Sequence, residues 1–365
     1  MTRPALLNPD RLPPARSLEP VMGESSLSDV FDLVEQAAAE PRYRLNNGRW
    51  CIRPAAMQRG VPRVWYVQPA TRFKWGRTAD GGAGSPGTRG GWYIKQPGHP
   101  DRVSRFCAAA RLLQQQEAAA AIHGPVVAGV DARRGMMATW PVAGQPVTAW
   151  LRCLMRWPGR WRSACRELSV LADRLGRGFE VLWGAAAPSL DCGRDYTPAE
   201  TAARMQRKWR RLRDAMAGRL DSFEPALHRV IERLAARPCR TGLVLGDAAP
   251  GHLLLNEHGL CPVDLDDVGI GDPVRDAACL LEHIEAASAS PWASARRARS
   301  LCSMLCEHWG IDVDDPAISQ YRTEFAIDRI WSALKIDSDL AVPNHGRSVR
   351  RSVAALNTML DRAER

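Results

Sequence analysis

The sequence predicts an α+β chain of two lobes, a small β-rich N-lobe and a larger helical C-lobe. Three observations carry that expectation. Short β-like runs, "RWCIRP", "RVWYVQP" and "GGWYIKQP", crowd the region before Lys95. Beyond Thr148 the texture is helical almost to the end of the chain. One stretch interrupts it, "GLVLGDAAPGHLLLNEHGLCPVDLDDVGIGDPVRDAACLL", which reads as short strands and tight turns. The domain limits are then residues 1–40 as an N-terminal extension, 41–140 as the N-lobe and 141–365 as the C-lobe.

In chain order, a proline-rich start gives way to a helix-like segment around "LSDVFDLVEQAAAE". Between the second and third β-like runs lies "RTADGGAGSPGTRGG", whose glycines predict a flexible loop. After Lys95, "DRVSRFCAAARLLQQQEAAAAIHG" predicts a long helix ended by Gly124. "PVVAGV" and "GMMATW" predict a strand pair, and "PVAGQPV" a linker into the helical lobe. Within the interrupting stretch, "LLL" and "CPV" flank the short turn "NEHGL" and predict a β-hairpin.

Composition bounds the rest. The 365 residues are 45% hydrophobic and 25% charged, ample for two cores in a globular protein. The N-terminus has no apolar signal-peptide core, and no run approaches the roughly 18 apolar residues of a membrane span, which predicts a cytoplasmic protein without a membrane partner. Ten cysteines without a CxxC pair fit reduced thiols. Cys302, Cys306 and His308 in "SLCSMLCEHW" have metal-like spacing but read better as a buried helix face. The net charge of +10 suits an acidic partner, and part of it is concentrated in "ARMQRKWRRLRDAM". There Arg204, Arg207, Lys208 and Arg211 share one helix face, expected to be solvated or, as the sharper alternative, to dock an acidic peptide or phosphorylated ligand. No nucleic-acid-binding motif is present, so nucleic acid is disfavoured as a partner.

The interrupting stretch carries the chemistry. Asp247, Asp264, Asp266, Asp267 and Asp272 would repel one another unless something positive sits among them. Pro250 and Gly251 make "DAAPGH" a loop, and the hairpin after it returns the chain so that Asp264 emerges beside Asp247. Two carboxylates so placed suit a cation with an adjacent general base.

The order Gly-Asp, hairpin, Val-Asp, then "GIGDPVRDAA" resembles the aminoglycoside phosphotransferase and choline kinase family. That resemblance implies a bilobal protein-kinase-like fold, with ATP and Mg²⁺, or Mn²⁺ in its place, as cofactors. Asp247 then matches the catalytic aspartate and Asp264 the metal-binding aspartate, with Asp266 and Asp267 close enough to tune the site. Asp272 and Asp276 match structural aspartates. Lys95 in "GWYIKQP" matches the phosphate-binding lysine, and Glu117 is the glutamate available to pair with it. "ATWPVAG" matches the segment where adenine meets the backbone, at Thr139 and Trp140. Two departures stand out. Leu245 replaces the usual histidine before Gly-Asp, and His252 replaces the metal-binding asparagine. His252 is then either a metal ligand that favours Mn²⁺ or a plain structural histidine.

The expected activity is ATP-dependent transfer of the γ-phosphate to a hydroxyl of a small molecule or natural product. Two alternatives remain. The acceptor is instead a Ser or Thr of a ribosomally made precursor peptide, phosphorylated for elimination by a partner lyase in a lanthipeptide- or thioamitide-type pathway. Or the chain is a pseudokinase scaffold that binds nucleotide or a partner without transfer.

Overall fold

The computed structural model describes residues 50–58, 61–69, 92–95, 100–115, 121–131, 135–156, 161–185, 194–216, 220–238, 240–288, 293–339 and 346–364. The helix-like N-terminal segment, the glycine-rich loop and Glu117 lie outside these residues. The chain divides into two compact units, Met1–Val103 with Val126–Pro141, and Ser104–Pro125 with Val142–Arg365.

The first unit holds a five-stranded antiparallel sheet of order β1-β2-β3-β5-β4. Its strands are β1 (Trp50–Gln58), β2 (Val61–Pro69), β3 (Trp92–Lys95), β4 (Val127–Asp131) and β5 (Met136–Thr139). The three β-like runs and the strand pair of the sequence all pair here. In β3 the side chains alternate as a pleat requires: Tyr93 is exposed, Ile94 is fully buried and Lys95 is half-buried. Lys95 sits opposite Val64 on one side and Met137 on the other, which sets its place on a central strand. Tyr93 and Thr139 face each other in register, and the Thr139 hydroxyl donates to the Tyr93 carbonyl at 3.4 Å. The Trp140 N–H donates to the Val126 carbonyl at 2.9 Å, holding the end of the β4–β5 pair.

Helix α1 (Pro100–Gln115) follows, with Val103, Phe106, Ala110 and Leu113 buried at spacings of three and four, the stripe of a helix packed on one face. The sequence carries this helix to Gly124, but residues 121–124 are not helical. Ile122 instead bridges Leu260 in parallel, and the Leu260 N–H donates to the Ala121 carbonyl at 2.9 Å. These tertiary hydrogen bonds replace the ones a longer helix would have made.

The second unit is mostly helical: α2 (Val147–Arg156), α3 (Trp161–Gly184), α4 (Pro198–Ala215), α5 (Glu224–Ala235), α6 (Pro273–Ser288), α7 (Ala295–Trp309), α8 (Pro316–Asp339) and α9 (Gly346–Glu364). Two small sheets complete it, one of β6 (Gln145–Pro146), β9 (Leu253–Asn256) and β10 (Gly259–Pro262), the other of β7 (Arg194–Tyr196), β8 (Gly242–Val244) and β11 (Gly269–Gly271). Helix α3 buries Leu168, Leu171, Leu175, Phe179 and Leu182, a continuous 3–4 stripe. Phe179, Trp183 and Trp309 form an aromatic cluster with centroids 5.1–5.7 Å apart, joining α3 to α7. Cys302 and Cys306 are buried on α7, and burial pushes their thiols up to about 12 and about 11, so they serve as protonated core residues. Among the described residues no helix is long and apolar enough to cross a membrane.

The basic face of α4 requires a correction. Arg207 and Arg211 are exposed, as a solvated face requires, but Arg204 and Lys208 are partly buried and turned toward an acid. Both reach the fully buried carboxylate of Glu324 on α8, at 2.8 and 3.1 Å. Lys208 also pairs with Asp328 at 2.6 Å, and Arg207 with Glu200 at the same distance. The periodicity in the sequence locates the face, but the buried acid opposite lies more than a hundred residues away in the chain.

Candidate active site

The site grows from the hairpin. Asn256 and Gly259 pair across the turn, and Gly259 takes a φ of 118°, in the left-handed region where a side chain is strained. At the open end, the Val263 N–H donates to the His252 carbonyl at 2.9 Å. The strand leaving the hairpin is thereby latched to the loop entering it, and Asp264, the next residue, emerges beside His252. The imidazole lies between two acids. Its Nδ1 is 3.4 Å from Asp247 Oδ2, and its Nε2 is 3.6 Å from Asp264 Oδ2. All three side chains are partly open to solvent, Asp247 most at 47%. Asp247 is also fixed from its own loop, where Oδ1 accepts the Ala249 N–H at 3.3 Å.

Beneath this open face lies a buried brace. Asp276, fully buried at the start of α6, accepts the N–H groups of Leu245 at 2.7 Å and Gly246 at 3.2 Å. Its neighbour Arg275 donates to the Gly246 carbonyl at 2.6 Å and to Glu324 at 3.1 Å. The Arg275 guanidinium also lies 4.3 Å from the centroid of the Tyr196 ring. Gly246 has a φ of 76°, and a Cβ there would overlap the Asp267 carbonyl and the Tyr196 hydroxyl, so glycine is required immediately before the candidate catalytic aspartate. Tyr196 donates to that same Asp267 carbonyl at 2.8 Å, while the Asp267 carboxylate pairs with Arg194 at 3.0 Å. Asp272 accepts the Val274 N–H at 3.1 Å and the Tyr321 hydroxyl at 2.9 Å. Leu245, where a histidine was expected, is buried, and only its backbone reaches the brace.

The electrostatics of the brace differ acid by acid. Burial pushes Asp276 up to about 6, against the opposing hydrogen bonds from Leu245 and Gly246 and the nearby Arg275 charge. Burial also pushes Glu324 upward, but Arg275, Lys208 and Arg204 together outweigh it and hold that carboxyl well below the usual range.

The structure thus brings Asp247, His252 and Asp264 together in the second unit. Lys95, Thr139 and Trp140 lie on or next to adjacent strands of the first unit. Of the five crowded aspartates, Asp267 and Asp272 are tied to Arg194 and Tyr321, and the Asp266 carbonyl accepts from Arg105 at 3.1 Å. Two residues escaped the sequence reading. Cys279, buried, and His283, exposed, stand one turn apart on α6 and bring donor atoms within 4.8 Å of each other and of the Asp247 carboxylate. Their Cys-x3-His spacing was the available signal. The buried Glu324 had none, because an acid within "YRTEFAIDRIW" reads like any helix-surface glutamate.

Comparison with known proteins bears on this geometry. The model of the phosphotransferase enzyme family matches residues 87–311, more than half of the chain. No curated protein sequence matches it significantly. Among solved structures, the chain is similar to a GDP complex of an aminoglycoside 2′-phosphotransferase, with a TM-score of 0.58 at 13% identity, covering 90% of this chain and 96% of that one. It is similar to a choline kinase from Streptococcus pneumoniae, with a TM-score of 0.54 at 12% identity, covering 91% and 99%. It is also similar to a streptomycin–ATP ternary complex of an aminoglycoside phosphotransferase, with a TM-score of 0.51 at 11% identity, covering 93% and 97%. At such identities these neighbours establish the kinase-like α+β fold, and the match over residues 87–311 establishes the rest: the chain belongs to the phosphotransferase enzyme family.

Proposed function

We propose that the chain transfers the γ-phosphate of ATP to a hydroxyl of a small molecule, with Asp247 as the catalytic aspartate. The supporting observation is the pair of half-exposed carboxylates, Asp247 and Asp264, held on either side of one imidazole by the hairpin latch. The structural neighbours carry ATP or GDP beside streptomycin or kanamycin in their complexes, which supports a nucleotide donor and a small acceptor. Asp247, the more open acid, would accept a hydrogen bond from the acceptor hydroxyl, orient it in line with the phosphate and draw off its proton. The brace at Gly246 fixes the backbone that aims this carboxylate, so no reorganisation is needed as the reaction proceeds. Lys95 is proposed to neutralise phosphate charge, and the backbone near Thr139 and Trp140 to meet the base.

The donor set fits a hard divalent cation. Asp264 offers a partly exposed carboxylate, and His252 offers a nitrogen, which favours Mn²⁺ over Mg²⁺. When bound, such a cation neutralises charge on the phosphate oxygens. Asp247→Asn should cut turnover by at least about 10²-fold while leaving nucleotide affinity within a factor of about two. Undiminished turnover in that variant would contradict the role of Asp247.

The same imidazole supports a second reading. With its two ring nitrogens facing the two acids, His252 would tie them to each other in a pseudokinase that binds nucleotide without transfer. His252→Asn separates the two: it should raise metal-dependent turnover in the enzyme and produce none in the scaffold. Of the basic face that a peptide acceptor would use, Arg204 and Lys208 pair with Glu324, while Arg207 and Arg211 are exposed.

A further inference from the structure

We propose that Asp247, Cys279 and His283 form a second cation site, one for a soft divalent metal of the zinc type, and that its occupation silences the aspartate. The three donor atoms lie within 4.8 Å of one another on two elements of the same unit, the loop after β8 and the middle of α6. Cys279 and His283 are four residues apart in a helix, so they present one face. Zinc bonds of about 2.0–2.3 Å to oxygen, nitrogen and sulfur put tetrahedral donors about 3.4–3.8 Å apart, so closing on the ion takes a contraction of about 1 Å.

The donor chemistry selects the metal. One carboxylate, one imidazole and one thiol do not suit Mg²⁺, which takes oxygen ligands and keeps its water, but match the mixed sets of zinc. His283 offers an imidazole nitrogen from the exposed part of this helix face. Cys279, buried, offers a thiol and its proton from the same helix face. Coordination displaces that proton to solvent and leaves a thiolate on the cation. Three protein ligands leave a fourth position for water or for the nearby His252 ring, 3.4 Å from Asp247. The cation would occupy the carboxylate on which the acceptor hydroxyl depends. Inhibition in this form rests on the proposed role of Asp247; binding of the metal does not.

The test uses the full chain with Zn²⁺ alone, without nucleotide, in competition with a chromophoric chelator, and repeats it with Co²⁺ as a visible stand-in. A saturable site should appear, with thiolate-to-cobalt charge-transfer absorption. Cys279→Ser should abolish that absorption. His283→Gln, a change at an exposed position, should weaken Zn²⁺ binding by at least the roughly 10–100-fold that loss of an outer-shell partner costs. Should Cys279→Ser fail to fold, His283→Gln decides by itself. Zinc affinity unchanged in His283→Gln, or cobalt absorption that survives Cys279→Ser, would assign the metal to other cysteines and overturn the site. A chain that binds Zn²⁺ as described but never transfers phosphate would leave the site standing and remove the phosphotransferase reading alone.

Discussion

The face that carries Asp247 and the brace beneath it crowd charges into one short stretch, and they handle that crowding in opposite ways. On the face, Asp247, His252 and Asp264 are open to water and meet at 3.4–3.6 Å, longer than a strong charge-assisted hydrogen bond. In the brace, Arg275 and Glu324 are buried and meet at 3.1 Å, and Glu324 gathers Arg204 and Lys208 as well. A buried charge must be matched almost completely by its own protein. An exposed one is screened by water and needs no such complete match. Under the proposed function, the brace then determines stability and the face activity, with Gly246 as the joint between them.

Breaking the brace should have the largest effect. Glu324→Gln leaves Arg275 buried without its counter-charge and should cost about 3–5 kcal/mol of stability, measured by urea unfolding. Its contribution follows from a depressed carboxyl. It is present above the ordinary carboxyl range near 4.5 and erodes as the pH falls below it.

Asp276 should behave with the opposite sign. Its carboxyl is raised from 3.8 to about 6, so the folded chain holds a proton that the unfolded chain has released. Stability should therefore decline as the pH rises from about 4 to about 6, by up to about 3 kcal/mol, and level off above. Unfolding measured across that window should show the slope in the native chain and lose it in Asp276→Asn.

Next comes the joint. Gly246→Ala forces a side chain into a left-handed position against the Asp267 carbonyl, and should cost at least about 1–2 kcal/mol along with most of the activity. Calorimetric melting compared with initial rates would show both losses. On the face itself, Asp247→Asn should change stability by less than about 0.5 kcal/mol, as expected for an exposed side chain, which sharpens the contrast with Glu324.

Much of the face could be read in advance because its parts are local. "NEHGL" between two apolar runs foretells the hairpin, and the hairpin brings Asp264 back to Asp247. The brace was hidden because its parts are remote. Arg204 and Lys208 have the spacing of a solvated stripe, and only the folded chain places Glu324 opposite them. The end of α1 was misjudged for the same reason. An alanine-rich run favours helix, but the partner that straightens Ala121 and Ile122 is Leu260 on the distant hairpin. Cys279 and His283 carried a local spacing signal, yet in a helix that buries Ala277, Ala278, Leu280 and Leu281 the cysteine passes as another core residue.

The most direct test is ATP binding by titration calorimetry, in Mg²⁺ and then Mn²⁺, on the native chain and on Asp264→Asn. Metal-dependent binding that the substitution abolishes, stronger in Mn²⁺ than in Mg²⁺, is the expected result. Absence of binding in either metal, or binding that Asp264→Asn leaves intact, would contradict a phosphotransferase working through this pair of carboxylates.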